Sequence, residues 1–93
     1  MAIEIHRHGE VVAKSRNLRG LLTYARKSPV KHVYLRRMAY GYGGLFIEFE
    51  NGATCKTEFA SFTVCRNWLE SRRSWQLGLN KERSGDVEYT RYA

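Results

Sequence analysis

Apolar and polar positions alternate at the start of the chain. Ile3-Glu4-Ile5-His6 has the period-two pattern of a strand with one buried face, and His8-Gly9 offers a turn into a second strand, Glu10 to Lys14. The period then changes. Asn17 is a suitable helix cap, and Leu18, Leu21, Leu22 and Ala25 follow at i, i+3, i+4 and i+7. That spacing leaves one apolar stripe, with Arg19, Thr23, Arg26 and Lys27 toward water. Ser28-Pro29 ends this helix, because the residue before proline is pushed out of the α region. Gly20 inside it costs about 1 kcal/mol relative to alanine. Val30 to Met38, rich in β-branched and aromatic residues, predicts a strand. Ala39–Gly44, with three glycines and two tyrosines, reads as a mobile loop.

Leu45–Glu50 and Ala53–Phe59 flank Asn51-Gly52, a strong hairpin signal. A two-residue turn would pair Phe49 with Thr54, Ile47 with Lys56 and Leu45 with Glu58, setting charges opposite core candidates. A three-residue turn, Glu50-Asn51-Gly52 with a bulge at the glycine, pairs Phe49 with Ala53, Ile47 with Cys55 and Leu45 with Thr57. The second register gathers the apolar residues on one face, so the bulged hairpin is predicted. Ser61 caps a second helix running to about Trp75. Phe62, Cys65, Trp68, Leu69 and Arg72 share one side of it, and Arg66, Glu70 and Arg73 form an exposed row. Leu79–Gly85 reads as a loop, and Asp86 to Tyr92 as an edge strand or a tail. The predicted fold is α+β: a mostly antiparallel sheet with two helices on one face, in the order β(β)αβββα(β). Residues 1–78 make one domain, followed by a C-terminal tail or edge strand over 79–93.

Composition narrows the function classes. With 43% apolar and 13% aromatic residues the chain is not a disordered polypeptide. No apolar run approaches the roughly 20 residues of a membrane span, and the N-terminus does not resemble a signal peptide, so a cytoplasmic protein is expected. The net charge of +7 is unevenly spread. Residues 1–44 carry nine basic side chains against Glu4 and Glu10, whereas 45–60 carry Lys56 against three glutamates. Eleven of the sixteen cations are arginine, whose planar fork suits phosphate and carboxylate. Such a chain attracts nucleic acid, nucleotides or acidic protein surfaces.

Candidate chemistry follows from that charge. Arg16, Arg19, Arg26 and Lys27 surround the first helix. Arg36 and Arg37 end a strand beside the glycine loop, and Arg66, Arg72 and Arg73 line the second helix. With both helices on one face, these residues are expected to form one arginine-rich plate that binds a polyanion with a steep salt dependence. Tyr40 and Tyr42 are candidates for stacking on a base or anchoring in a partner's pocket. Gly41-Tyr42-Gly43 and Phe46-Ile47-Glu48-Phe49 match the halves of an RNA-recognition segment, but Gly44-Leu45 interrupts the alternation that sets its aromatics on one face. The three glycines precede a strand rather than a helix, so they are not a phosphate loop. His6 and His8 read as one strand face, without the further ligands a metal site needs. Cys55 and Cys65 read as buried thiols. Glu48 and Glu50 read as sharing a solvated strand face opposite Thr54 and Lys56. Neither a catalytic constellation nor a cofactor is expected.

Ser15–Arg26, Asn51–Cys55 and Trp68–Trp75 resemble segments of small, uncharacterised phage and prophage accessory proteins, a resemblance spanning residues 15–75. It implies a class that includes inhibitors of host defence, anti-CRISPR proteins among them, and it transfers no residue roles. Members that imitate DNA are acidic, whereas this chain is basic. The expected function is therefore non-enzymatic: stoichiometric binding of a host protein or nucleoprotein complex, or another acidic partner surface, through the arginine-rich face. Two other readings stand beside it. One is a direct DNA- or RNA-binding module, such as a transcriptional regulator; the other is a protein that sequesters a nucleotide under the glycine loop. Monomer and homodimer are both open.

Overall fold

The Asn51-Gly52 turn fixes the register on which the sheet is built. In the computed structural model, which describes residues 3–92, Phe49 N–H donates to the Ala53 carbonyl and Gly52 N–H to that of Phe49. Gly52 sits at φ 88°, the left-handed position of a bulged turn. Ile47 is opposite Cys55 and Leu45 opposite Thr57, the register that the core-facing pattern demanded. The strands are β1 (Ile3–Arg7), β2 (Glu10–Ser15), β3 (Val30–Arg37), β4 (Gly43–Phe49), β5 (Thr54–Phe59), β6 (Leu77–Arg83) and β7 (Asp86–Arg91). The helices are α1 (Arg19–Lys27) and α2 (Phe62–Glu70). One antiparallel sheet runs β2-β1-β5-β4-β3-β7-β6 with both helices on one side, which is the α+β arrangement expected.

The core lies between the sheet and the helices. β4 contributes Leu45, Ile47 and Phe49, β3 contributes Val33 and Leu35, and β7 contributes Val87 and Tyr89. α1 presses Leu21 and Tyr24 into this layer, with the Tyr24 ring edge-on to Phe49 at 4.9 Å. α2 adds Phe62, Cys65 and Leu69, and Trp75 follows it. Burying each large side chain contributes about 1.5–3 kcal/mol. Asn17 starts α1 by accepting the Arg19 N–H at 2.9 Å, and Ser28 ends it. Ser61 caps α2 through the Val64 N–H at 3.3 Å.

Several expectations need correction. The loop before β4 is shorter than read: Gly43 and Gly44 are strand residues paired with Arg37 and Arg36. A Cβ on Gly43 would lie 3.0 Å from the Phe62 Cα, so glycine lets α2 approach the strand. Ala39–Tyr42 forms a tight turn closed by Tyr42 N–H to the Ala39 carbonyl and Met38 N–H to that of Tyr42. α2 stops at Glu70 rather than Trp75, because the Ser71 hydroxyl donates to the Trp68 carbonyl and Arg72 leaves helical geometry. Trp75 reaches the core from a separate 3-10 turn, Arg73–Trp75. Where a tail or edge strand was expected after residue 78, β6 and β7 form an integral hairpin. β6 is the edge, and β7 lies inside the sheet between β3 and β6.

Both sheet edges are interrupted. β2 bulges at Val12, between the pairs Ile5–Ala13 and His6–Val11, and β6 bulges at Asn80. A bulge bends an edge away from straight pairing with another chain.

Candidate functional site

Seen from the helix side, the predicted arginine plate separates into two groups. Arg16, Arg19, Arg26 and Lys27 are exposed, and among the described residues none has a carboxylate within ion-pair distance. α1 has no acidic residue in its first turn, and its two C-terminal cations also favour its dipole. Of the arginines expected on the second helix, Arg66 in α2 and Arg72 after it are engaged within the molecule. Arg66 donates to Glu82 through both terminal nitrogens, at 2.9 and 3.1 Å, and to Glu70 through Nε at 3.1 Å. These bonds hold the Glu82 carboxyl below its usual pKa. Tyr89 Oη joins the cluster by donating to Glu70 at 2.9 Å, and burial followed by that carboxylate raises its pKa. The Arg72 guanidinium lies 5.4 Å over the Trp68 ring. Arg73 alone is exposed there, in the turn after the helix.

Arg36 and Arg37 point to opposite faces, as neighbours in a strand must. Arg37 lies 4.1 Å over the Phe62 ring on the helix side, while Arg36 meets Asp86 at 3.5 Å on the helix-free side. Tyr40 is 97% exposed, and its φ of 61° is one that tyrosine rarely adopts. Tyr42 is exposed beside it. This turn enters β4, whereas α1 packs at the far end of that strand, on Phe49 and Asn51. A strand of this length spans roughly 20 Å. The tyrosines and the α1 cations are therefore separate surfaces.

On the helix-free face, Phe46 of the RNA-recognition-like segment joins residues that the sequence alone does not bring together. Its side chains form rows across the strands. One row runs Lys56, Phe46, Tyr34, Glu88, Lys81 across β5-β4-β3-β7-β6. The next runs Glu58, Gly44, Arg36, Asp86, Arg83. Between them lies an open groove of about 900 Å³, with Met38 covering Gly44. The Tyr34 and Phe46 ring centroids are 5.8 Å apart, and Lys56 Nζ is 5.9 Å from the Phe46 centroid. On this face Lys14, Arg36, Lys56, Lys81 and Arg83 are matched by Glu4, Glu48, Glu58, Asp86 and Glu88. The face is thus formally neutral, and the +7 resides on the helix side, edges and turns. A detectable signal was present: in β3 and β4 the positions alternating with the core set include an aromatic residue each, Tyr34 and Phe46.

The remaining candidates have structural partners. Cys55 and Cys65 are buried free thiols, and burial pushes their pKa values up to about 11 and about 12. His32 bonds Glu48 at 3.0 Å and His6 bonds Glu4 at 3.2 Å. His8 does not share a strand face with His6, because it turns the chain at φ 53°. Glu50 leaves the Glu48 face as well, since it enters the hairpin turn and approaches Arg91 at 3.8 Å. Comparison with protein-family models, curated sequences and solved structures finds no match to this chain, so the functional reading rests on its geometry.

Proposed function

We propose that this protein acts by occupancy: α1 docks its cations on an acidic surface of a protein or nucleoprotein partner and blocks access to it. The observation that carries this reading is the set Arg19, Arg26 and Lys27 on α1 and Arg16 in the turn before it, exposed and unpaired among the described residues. Four cations without internal partners keep their charge available to another molecule, and arginine forks suit carboxylates and phosphates alike. The reading accords with the accessory-protein class that residues 15–75 resemble. It relies on the cations at α1 rather than on both helices.

The test is capture from a bacterial host lysate with wild-type protein and with Arg19→Glu/Arg26→Glu, followed by titration of the purified partner. A partner captured at one-to-one stoichiometry by wild type and lost with the double variant supports the reading. Arg73→Glu, on the other helix's turn, leaves capture unchanged. Equal capture by wild type and the α1 double variant refutes it.

A further inference from the structure

We propose a second binding site on the helix-free face: the Tyr34–Phe46 platform and its groove take a single-stranded nucleic acid, laid across the β-strands. This site is on the opposite side of the sheet from α1 and stands whether or not the α1 reading does.

Three observations carry it. The first is the ring pair. Tyr34 and Phe46 face each other from adjacent central strands, on the side that carries no helix, and Tyr34 is 40% exposed. Aromatic faces of this kind accept bases of any sequence by stacking. The second is spacing. Centroids 5.8 Å apart are wider than the roughly 3.4 Å rise between stacked bases. Two bases seated on the rings must therefore be splayed, which a single strand allows and a duplex does not.

The third is where unpaired charge remains. Asp86 is taken by Arg36 at 3.5 Å, and Glu88 accepts the Asn80 amide at 3.0 Å. Around the groove this leaves Lys56, Lys81 and Arg83 without an ion-pair partner among the described residues, against Glu58. Lys56 and Lys81 stand at the two ends of the aromatic row, and Arg83 ends the adjacent one. A strand crossing the sheet over the rings thus meets Lys56 beside Phe46 at one end and, beyond the Asn80-bonded Glu88 next to Tyr34, Lys81 at the other. The groove is too open to enclose a single nucleotide, so several modest contacts along a strand must supply the affinity.

The experiment measures fluorescence anisotropy of a labelled single strand of about ten nucleotides, as RNA and as DNA, within the range of known single-strand sites. A duplex of the same length serves as competitor at low salt. Wild type is expected to bind the single strand and prefer it over the duplex. Tyr34→Leu/Phe46→Leu keeps apolar bulk but removes both ring faces, and is expected to lower affinity roughly tenfold or more. Amide shifts on titration should fall on β3, β4 and β5, a readout that needs no variant. Arg19→Glu/Arg26→Glu should leave the single-strand preference intact, which separates this site from the α1 surface. The proposal is overturned by absence of binding at low salt, by leucine variants that bind like wild type, by equal competition from duplex, or by amide shifts confined to α1.

Discussion

Gly20→Ala is the substitution for which helix propensity and packing have opposite signs. At an open helix position the change stabilises by about 0.8–1.0 kcal/mol. Here a Cβ on Gly20 would overlap the Ser15 Cβ and sit 2.6 Å from the Ser15 Oγ, inside the 3.0 Å that real Cβ contacts respect. The obstructing carbon is fixed to the last residue of β2, so no rotamer change removes it. Ser15 Oγ also accepts the Asn17 N–H at 3.2 Å and donates to the Asn17 carbonyl at 2.9 Å, organising the turn into α1. Displacing that hydroxyl costs about 0.5–1.5 kcal/mol per bond, in addition to about 1–3 kcal/mol for overpacking. Set against the propensity gain, the net expectation is a loss of roughly 1–5 kcal/mol. At roughly 4–8 °C per kcal/mol for a domain of this size, that lowers the midpoint by at least about 4 °C. Thermal and urea denaturation followed by circular dichroism measure it. Ser15→Gly removes the obstruction, so the double variant should be more stable than Gly20→Ala alone, with a coupling energy of at least about 1 kcal/mol. A Gly20→Ala protein that melts at or above the wild-type temperature would refute the close approach of α1 to β2.

Tyr40→Asn should stabilise by about 0.5–1 kcal/mol, because asparagine tolerates the left-handed conformation and the exposed ring loses no burial; a lower melting temperature would reveal a stabilising contact of that ring. Cys55 and Cys65 should resist a thiol reagent in the folded protein and react once it is unfolded. Their ordinary pKa is 9.0, while the folded thiols hold their protons to about 11 and about 12, so the unfolded chain binds fewer protons above pH 9.0. Stability is therefore complete below that pH and falls as pH rises through the folded values. A urea midpoint whose alkaline slope persists in Cys55→Ala/Cys65→Ala would assign it elsewhere. Arg66→Glu sets a third carboxylate between Glu70 and Glu82 and should cost roughly 1–2 kcal/mol in urea titrations, whereas Arg73→Glu should change stability by less than about 0.5 kcal/mol. Glu82, held low by Arg66, contributes at neutral pH, and that contribution is lost as pH falls below the usual carboxylate value of 4.5 and through the lowered one; Glu82→Gln should flatten this part of the acid limb.

Where the sequence could be read, it was because one arrangement satisfied several local demands at once. The hairpin register is the clearest instance. Of two turns compatible with Asn51-Gly52, one buries Phe49, Ile47, Leu45, Cys55 and Ala53 on a common face, and the other buries charges. The apolar stripe of α1 and the Ser61 cap were legible for the same reason. β6 was not. Leu-Gly-Leu-Asn-Lys-Glu-Arg has one half-buried leucine, Leu77, and one exposed one, Leu79, a bulge at Asn80 that breaks its alternation, and a charged end. Its strand identity comes from β7, whose own core positions, Val87 and Tyr89, are paired on the other side by β3. Neither strand is fixed by residues within it.

That local gap determined the error at the candidate site. The i, i+4 relation exposes Glu70 as a partner for Arg66, but Glu82 is sixteen residues away in β6, where the sequence pattern reads as a loop from Leu79 to Gly85. With β6 unrecognised, Arg66 counted as a free surface cation and α2 as half of a basic plate. Charge can be counted along a chain, whereas the fraction left for a partner depends on which carboxylates the fold brings near. α1 retains its cations because residues 11–47 contain no acid and because the strand nearest it, β2, supplies only Glu10, at the far turn. The α1 surface is thus predictable from sequence wherever acids are absent both locally and from the neighbouring strand. The helix-free groove depends instead on register between strands far apart in the chain, and only pairing β3, β4 and β5 brings Tyr34, Phe46 and Lys56 into one row.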